Sequence, residues 1–295
     1  PKLQILATGS STLAATDKFR DALTDRKTNL WLGPMLLSES SHLERTVDDR
    51  MRFGGLPRFL IEKIADETEY QEWLDQFWAK DVSELFRVEK RHSFMKFGEL
   101  LLTQSGRQFE ANAFSGPCEV SRQSIQNYLA ILEVVHFAHV IRPFSTRKSK
   151  EIVGQPKVYA FDTGFVSFFN GVERIRASDR GFMLEHLALN EMHAVLQSKN
   201  KIQYWRTKQG HEIDFIVLPK PGGSPIAVEC KWNHSELDSK NLVEFRKLYP
   251  KVENWIISGS ALETNQRRFG SIETQVIPIL GLQSHLEATF KGGKT

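Results

Sequence analysis

Three side chains on two neighbouring predicted strands are of the types that support metal-assisted hydrolysis. Asp214 lies in one apolar strand pattern, and Glu229 and Lys231 lie in the next, after a turn rich in proline and glycine. Because side chains alternate along a strand, Glu229 and Lys231 share a face, and a hairpin can bring Asp214 beside them. Two carboxylates and a lysine on one sheet face are costly without a partner, and a divalent cation is a natural one.

The chemistry that this arrangement predicts is phosphodiester cleavage with Mg²⁺. Mg²⁺ favours one or two carboxylates together with water and substrate phosphate oxygens, and it can activate a bound water. Asp214 and Glu229 would then be the metal ligands, and Lys231 would orient or help to deprotonate the attacking water. Glu185, on the helix that precedes the strands, could add a ligand or a supporting contact. The alternatives are an ordinary salt-bridged sheet face and a site that has kept its geometry but lost its activity.

Sequence context distinguishes the pair Glu229 and Lys231 from two similar pairs elsewhere in the chain. An acid followed two positions later by lysine occurs three times, and only the pair Glu229 and Lys231 lies in an apolar strand. Side-chain alternation predicts that Cys230 points into the core. It also predicts that Asp214 points away from three apolar neighbours that share one strand face, namely Ile213, Phe215 and Val217.

Residues 92–160 predict a helix, a short helix, a turn, a third helix and a β-hairpin, which is the element order of a winged helix. Ser121 is placed to cap the third helix. The exposed positions of that helix carry side chains that can contact phosphates or base edges, namely Arg122, Gln123, Gln126 and Asn127. The hairpin loop adds three basic candidates, Arg147, Lys148 and Lys150. These residues predict DNA binding, and the alternative is a packing module with a solvated basic loop.

The composition limits the class of protein. The 295 residues are 40% hydrophobic and 25% charged, which is typical of a folded globular chain and argues against extensive disorder. A net charge of +3 gives little support to DNA binding, so local clusters must carry that prediction. The two cysteines, Cys118 and Cys230, form no C-x-x-C pair, which predicts a reducing, cytoplasmic setting without structural zinc. No run approaches the ~20 apolar residues of a membrane span, so no membrane contact is expected.

Several segments resemble a family of predicted bacterial and archaeal AAA-type ATPases, whose C-terminal part is a domain of unknown function with a restriction-endonuclease-like fold. The chain resembles the later two thirds of such proteins. The matching segments are Ile5-Leu6-Ala7-Thr8-Gly9-Ser10-Ser11, Phe53-Gly54-Gly55-Leu56-Pro57, Lys80-Asp81-Val82, Pro156-Lys157-Val158-Tyr159, Asp162-Thr163-Gly164, Tyr204-Trp205-Arg206, Glu212-Ile213-Asp214-Phe215 and Val228-Glu229-Cys230-Lys231.

This resemblance implies roles for residues at both ends of the chain. Asp214, Glu229 and Lys231 resemble the acid, acid and lysine of the endonuclease-like signature, with Glu185 as its helical glutamate and Ile213 in place of its proline. At the start of the chain, two residues resemble the end of the ATPase sensor strand and one resembles the basic residue that follows it, namely Thr8, Ser10 and Arg26. No G-x-x-x-x-G-K-[ST] loop is present, so ATP binding would need a partner ATPase chain or a missing N-terminal segment.

The predicted fold class is mixed α/β, in five parts. A remnant of an ATPase core (1–35) and a helical region (36–91) precede the winged helix (92–160). A restriction-endonuclease-like α/β/α domain (161–282) and a frayed tail (283–295) follow. The helical region includes an aromatic stripe from Thr68 to Arg87 that predicts a core-facing helix.

Overall fold

The computed structural model describes residues 30–145, 154–219 and 223–290. The strand predicted at 3–7 lies outside these residues. So do six of the candidate site residues, namely Thr8, Ser10, Arg26, Arg147, Lys148 and Lys150. The described part has the mixed α/β fold that the sequence predicts, with two sheets.

The α-helices occur before, between and after the strands of the smaller sheet in the sequence. The later helices cover the larger sheet. In chain order the α-helices are Leu37–His42 (α1), Val47–Phe53 (α2), Pro57–Glu62 (α3), Glu67–Phe77 (α4), Arg91–Thr103 (α5), Ala111–Ser115 (α6), Arg122–Val134 (α7), Thr163–Phe169 (α8), Ala177–Leu196 (α9), Lys240–Leu248 (α10) and Leu282–Phe290 (α11). None of these described helices is both long and apolar enough to cross a membrane.

The strands form a small and a large sheet. They are Arg107–Gln108 (β1), Ala138–Ile141 (β2), Lys157–Ala160 (β3), Ile202–Arg206 (β4), Glu212–Val217 (β5), Ile226–Lys231 (β6), Glu253–Ser258 (β7), Asn265–Phe269 (β8) and Ile272–Pro278 (β9). The small sheet is antiparallel, in the order β1-β3-β2. The large sheet has the order β4-β5-β6-β7-β9-β8, with β6, β7 and β9 parallel.

The aromatic stripe predicted between Thr68 and Arg87 forms helix α4 and a π-helical segment, Trp78–Val82, directly after it. Helix α4 begins at Asp66, whose carboxylate accepts a hydrogen bond from the backbone N–H of Thr68. The stripe faces the core as predicted, and its buried residues are Tyr70, Leu74, Phe77, Trp78 and Val82.

The small sheet and helices α5, α6 and α7 follow the element order of a winged helix. Strand β1 is an addition to the predicted pattern, and it pairs with β3 through Arg107 and Val158. Ser121 caps helix α7 as predicted, because its hydroxyl accepts a 3.0 Å hydrogen bond from the backbone N–H of Ser124. The loop between β2 and β3 is in the position of the wing.

The large sheet has helices on both faces. Helices α9 and α11 pack on one face, where Phe215, Val228 and Cys230 belong to the same apolar cluster. Helix α10 packs on the other face through Leu242 and Phe245. The burial of Cys230 confirms its predicted place in the core.

A hydrogen-bonded seam joins the large sheet to the base of the wing. The backbone N–H of Tyr204, in β4, donates to the carbonyl of Arg142, and the Tyr204 carbonyl accepts from the N–H of Phe144. The Tyr204 hydroxyl donates to the carbonyl of Gln155 on the other side of the wing. Strand β4 is thereby fixed to both ends of the wing loop.

A buried ion pair fastens the N-terminal helices to the start of α8. Asp162 accepts hydrogen bonds from the backbone N–H groups of Gly55 (2.6 Å) and Gly164 (2.8 Å), and it lies 3.9 Å from the Arg50 guanidinium. Gly164 approaches so closely that a Cβ there would lie 2.5 Å from the Phe53 carbonyl oxygen. Two of the sequence segments that carry the ATPase resemblance therefore meet at this contact.

Helix α11 corrects the prediction of a frayed tail from residue 283. Leu282 and Leu286 lie one helical turn apart, and both are fully buried. They belong to the same apolar cluster as helix α9. This i, i+4 apolar pair gives the short helix a face to bury, which the composition of the tail did not suggest.

Candidate functional site

A β-bulge in β5 determines where Asp214 lies. The pairing of β4 with β5 leaves one residue of β4 opposite two residues of β5, Asp214 and Phe215. The bulge corrects the predicted alternation, because Ile213 packs with the α10 cluster whereas Phe215 and Val217 pack with the α9 cluster. A bulge bends its strand and redirects the adjacent side chains, and here it adjoins the candidate acid.

Lys231 bridges the two acids predicted to lie beside it. Its Nζ lies 2.9 Å from Glu229 Oε2 and 3.8 Å from Asp214 Oδ2. Asp214 Oδ2 also accepts a 2.8 Å hydrogen bond from the backbone N–H of Cys230. The end of β6 therefore holds the Asp214 carboxylate in place, and the three predicted side chains form one cluster.

The protonation of this cluster follows from burial and from its neighbouring charges. Glu229 is 3% exposed, and burial together with the Asp214 carboxylate raises the pKa of Glu229 to about 8. Burial disfavours the charged form of Lys231, but Asp214 and Glu229 outweigh it and raise the pKa of Lys231 above its usual value. Lys231 is therefore charged at neutral pH, and its ammonium group can donate hydrogen bonds but cannot accept a proton.

Glu185, on helix α9, faces the same cluster. Burial and the Asp214 carboxylate raise the pKa of Glu185 to about 7, against the opposing effect of Lys157. Tyr159 donates its hydroxyl to Glu185 Oε2 at 2.8 Å, and Lys157 Nζ lies 4.0 Å from the same oxygen. The structure thus adds two residues from β3 that the sequence prediction of the site does not contain.

Lys157 is buried where the two sheets meet. It is 5% exposed, it forms an ion pair with Glu212, and its Nζ lies 5.6 Å from the centre of the Tyr204 ring. Burial disfavours the ammonium form, but Glu185, Asp214 and Glu212 reverse that effect and raise the pKa of Lys157. The cluster therefore holds acidic side chains from the sheet and from α9 together with two charged lysines.

Asp214 and Glu229 fit the oxygen-ligand chemistry of Mg²⁺. Glu229 Oε1 is buried and has no hydrogen-bond donor among the described residues. Within those residues, no three His, Cys, Asp or Glu side chains are grouped so that they could hold a metal ion. Mg²⁺ is commonly bound through one or two carboxylates, with water and substrate phosphates completing its coordination. These two acids would supply that minimal set.

The predicted DNA-contacting residues of α7 divide between two surfaces. Arg122 and Gln126 line a groove of about 590 Å³ between α6, α7 and the base of the wing. Gln123 and Asn127 are exposed and hydrogen-bond each other at 3.1 Å. These described helix residues therefore present a polar surface beside the wing.

Acidic side chains partly offset the positive charge of that groove. Glu110 and Glu133 line it together with Arg122 and Arg142. The Arg142 guanidinium lies 3.4 Å from Glu133. The described lining thus carries two positive and two negative side chains, so attraction for a phosphate backbone must come from other residues.

Sequence comparisons divide the chain at the start of α9. Residues 44–176 match a domain of unknown function (DUF8612), and residues 180–282 match a domain of unknown function (DUF4143) that is often found in AAA-ATPase-associated proteins. The uncharacterized protein Rv2008c of Mycobacterium tuberculosis and the uncharacterized protein Mb2031c of Mycobacterium bovis are each 25% identical over 189 residues. The match covers 60% of this chain and 41% of each relative, so the chain spans about two fifths of the length of the curated relatives it matches.

Proposed function

We propose that this chain binds DNA and cleaves its phosphodiester bonds with the help of a divalent cation. The observation that carries the proposal is the convergence of Asp214, Glu229 and Lys231, with a buried Glu229 oxygen that lacks a donor among the described residues. Buried carboxyl groups with raised pKa values cluster at functional sites more often than elsewhere. The resemblance of the signature residues to a restriction-endonuclease-like domain supports the same reaction.

In this proposal, the side chains have distinct roles. A bound Mg²⁺ would neutralise charge on the scissile phosphate and lower the pKa of a water. Asp214 and Glu229 would hold the ion, and the Lys231 ammonium would donate a hydrogen bond to the phosphate or to the attacking water. Because Lys231 is charged, deprotonation of the water falls to a carboxylate, and Glu185 has a pKa near neutrality.

The DNA-binding part of the proposal rests on the winged-helix order and on the polar face of α7. The basic loop residues Arg147, Lys148 and Lys150 remain part of it as sequence predictions. A setting in the cytoplasm is also proposed, because Cys118 and Cys230 are both free and buried.

A cleavage assay with purified protein tests the catalytic proposal. Supercoiled and linear DNA are incubated with Mg²⁺ or Mn²⁺ and with the parent chain, Asp214→Ala or Lys231→Ala. We expect cutting by the parent and a loss of about 100-fold or more in each variant, since each removes a charged group from the reaction centre. The matched controls are Asp238→Ala and Lys240→Ala, which disrupt an exposed acid–lysine pair and should cut like the parent.

The outcomes separate a real site from a contaminant. Cutting that persists in Asp214→Ala and Lys231→Ala would show that another nuclease is responsible. An inactive parent would remove the catalytic proposal and leave DNA binding to be measured by fluorescence anisotropy at several salt concentrations.

A second candidate function is a catalytically silent regulatory module of an ATPase. The observation that favours it is that protein groups already pair with the acids, since Lys231 lies against both and the backbone N–H of Cys230 donates to Asp214. In that case ATP would be bound only when a partner chain or a further segment supplies a phosphate-binding loop. Thermal unfolding with Mn²⁺ discriminates the two, because a metal that binds only the folded state raises the midpoint. A silent module should show no Mn²⁺-dependent shift.

A further inference from the structure

Strand β3 of the winged helix presents two polar side chains to the large sheet and its helix α9. Lys157 and Tyr159 alternate with Val158 and Ala160, and all four are buried. The two polar residues point away from the winged-helix sheet and reach Glu185, at 4.0 Å from Lys157 Nζ and 2.8 Å from the Tyr159 hydroxyl. The sequence comparisons place β3 and α9 in different matched domains.

We propose that Lys157 and Tyr159 are positioning residues for Glu185, so that the winged helix completes the carboxylate site of the neighbouring domain. This inference rests on the proposed function, because it assigns a supporting role within the same site. Neither residue is expected to touch the substrate, since Lys157 is 5% exposed and Tyr159 is fully buried.

The geometry explains why Glu185 needs such support. Its carboxylate faces Asp214, and two like charges destabilise each other when both are ionised. Lys157 lies close enough to offset that repulsion. The Tyr159 hydroxyl fixes one Glu185 oxygen by a directional hydrogen bond of 2.8 Å. A carboxylate held in this way keeps its orientation beside the metal ligands without help from the substrate.

The position of these residues is also difficult to explain by folding stability alone. Replacing a buried lysine and its acids by apolar side chains of similar volume is often neutral or stabilising. Here a buried lysine reaches acids from two elements, α9 and β5, across a domain junction. A purely structural junction could be built from apolar residues, as the remainder of β3 is.

Tyr159→Phe is the sharpest test, because it removes one hydroxyl and keeps the buried ring. Measured with Mn²⁺, we expect kcat for DNA cleavage to fall about 10–100-fold, as for other losses of a group that orients a metal-site side chain. The KM for DNA should not change, and the thermal midpoint without metal should stay near that of the parent. The matched control is Tyr70→Phe, which removes a buried hydroxyl outside the Glu185 cluster. That hydroxyl donates a hydrogen bond to the carbonyl of Ile64, six residues away.

A charge variant adds a second measurement. Lys157→Met keeps the length of the side chain and removes its charge, so it should lower kcat further, and Lys157→Arg should recover part of the loss. A parent that cuts DNA while Tyr159→Phe and Lys157→Met cut equally well would overturn the inference and leave the proposed function intact. A rise in the KM for DNA, or a fall in the metal-free thermal midpoint, with kcat unchanged, would also overturn it.

Metal binding keeps the two proposals distinguishable when cleavage is absent. If the parent binds Mn²⁺ without cutting, weaker Mn²⁺ binding by Tyr159→Phe supports the positioning role, and equal binding overturns it. If the parent neither cuts DNA nor binds Mn²⁺, the proposed function and this inference fall together.

Discussion

Glu229 occupies the most constrained position among the acids of the site. One oxygen bonds to Lys231, and the other is buried without a donor among the described residues. Ionising such a group costs free energy, because burial and the Asp214 carboxylate both oppose the charge. Glu229 is therefore mostly protonated in the folded protein at neutral pH, and it becomes a costly buried anion only as the pH rises through about 8.

This cost of ionisation predicts how Glu229→Gln changes the free energy of unfolding with pH. The folded-state pKa of Glu229 is about 8, above the ordinary value of 4.5, so its contribution to stability is full below 4.5 and is lost as pH rises through 8. Glu229→Gln should therefore raise the metal-free unfolding free energy at pH 8 by about 1–3 kcal/mol and flatten its pH dependence. Urea denaturation with a chelator present, from pH 5 to 8.5, measures both effects.

The control for this prediction is Glu236→Gln, which changes an exposed glutamate in the segment after β6. Its stability curve should run parallel to that of the parent. If Glu229→Gln destabilises the metal-free protein at pH 8, then ionisation of Glu229 does not carry this cost.

At the residue scale, the sequence predicts the acids better than their supports. Asp214, Glu229 and Lys231 could be placed together because each lies in a strand pattern and the strands are neighbours in sequence. Lys157 and Tyr159 could not be placed, because their contacts with Glu185 depend on how two domains dock. The available signal was their alternation within one of the matching segments, 156–159.

Between elements, the contact of α2 with the start of α8 depends on a glycine. Gly164 lies against the Phe53 carbonyl, a backbone atom that cannot rotate away. Asp162 and Arg50 hold the two elements together around it. The close approach explains why a glycine stands two positions after the N-cap residue of α8, Asp162.

Two glycine substitutions should therefore have opposite effects. Gly164→Ala places a Cβ 2.5 Å from the Phe53 carbonyl oxygen, so it should destabilise the protein by about 1–3 kcal/mol. Gly181→Ala, in helix α9, has no neighbouring atom within 4 Å and should stabilise by about 0.5–1 kcal/mol through helix propensity. Urea denaturation at pH 7 compares them, and equal effects would contradict the packing described for α2 and α8.

Elements with strong local patterns are predictable from sequence, and those defined by distant partners are less so. Helices α4 and α7 have an apolar stripe and a capping residue, Asp66 or Ser121, that mark them in the sequence. Strand β1 has two residues and exists only because β3 lies beside it. The bulge at Asp214 is likewise invisible, since the pairing partner on β4 decides it.

On the scale of the whole molecule, Trp31 links the first described residues to three histidines from distant parts of the chain. Its ring lies 5.5 Å from that of His139 in β2, 5.6 Å from that of His193 in α9 and 6.1 Å from that of His136. Burial, together with the neighbouring Lys199, lowers the pKa of His136 to about 4 and that of His193 to about 3. These histidines are therefore neutral when the protein is folded at pH 7.

The burial of His139 predicts how the free energy of unfolding changes as the pH falls. Both of its ring nitrogens are buried without a partner among the described residues, and burial, His193 and Lys199 hold the pKa of His139 well below 6.5. The unfolded chain takes up this proton below pH 6.5 and the folded chain does not, so stability is lost as pH falls. His139→Phe should add about 1–3 kcal/mol at pH 7, and more at pH 5.

Chemical denaturation from pH 7.5 to 4.5 tests this prediction. The control is His92→Gln, at an exposed histidine, whose stability difference from the parent should stay constant over that range. A His139→Phe increment that shrinks as the pH falls would show that His139 is protonated in the folded protein.

Tyr204 joins β4 to both sides of the loop between β2 and β3. These hydrogen bonds hold the two sheets at a fixed distance from each other. When a flexible linker joins a DNA-binding domain to a nuclease domain, the position of cleavage varies along the bound strand. Here the spacing between the groove beside α7 and the carboxylates is set by hydrogen bonds within the protein. Under the proposed function, fragments released from DNA of a defined length should therefore have ends at a narrow, repeatable offset from the segment that the helix α7 surface protects.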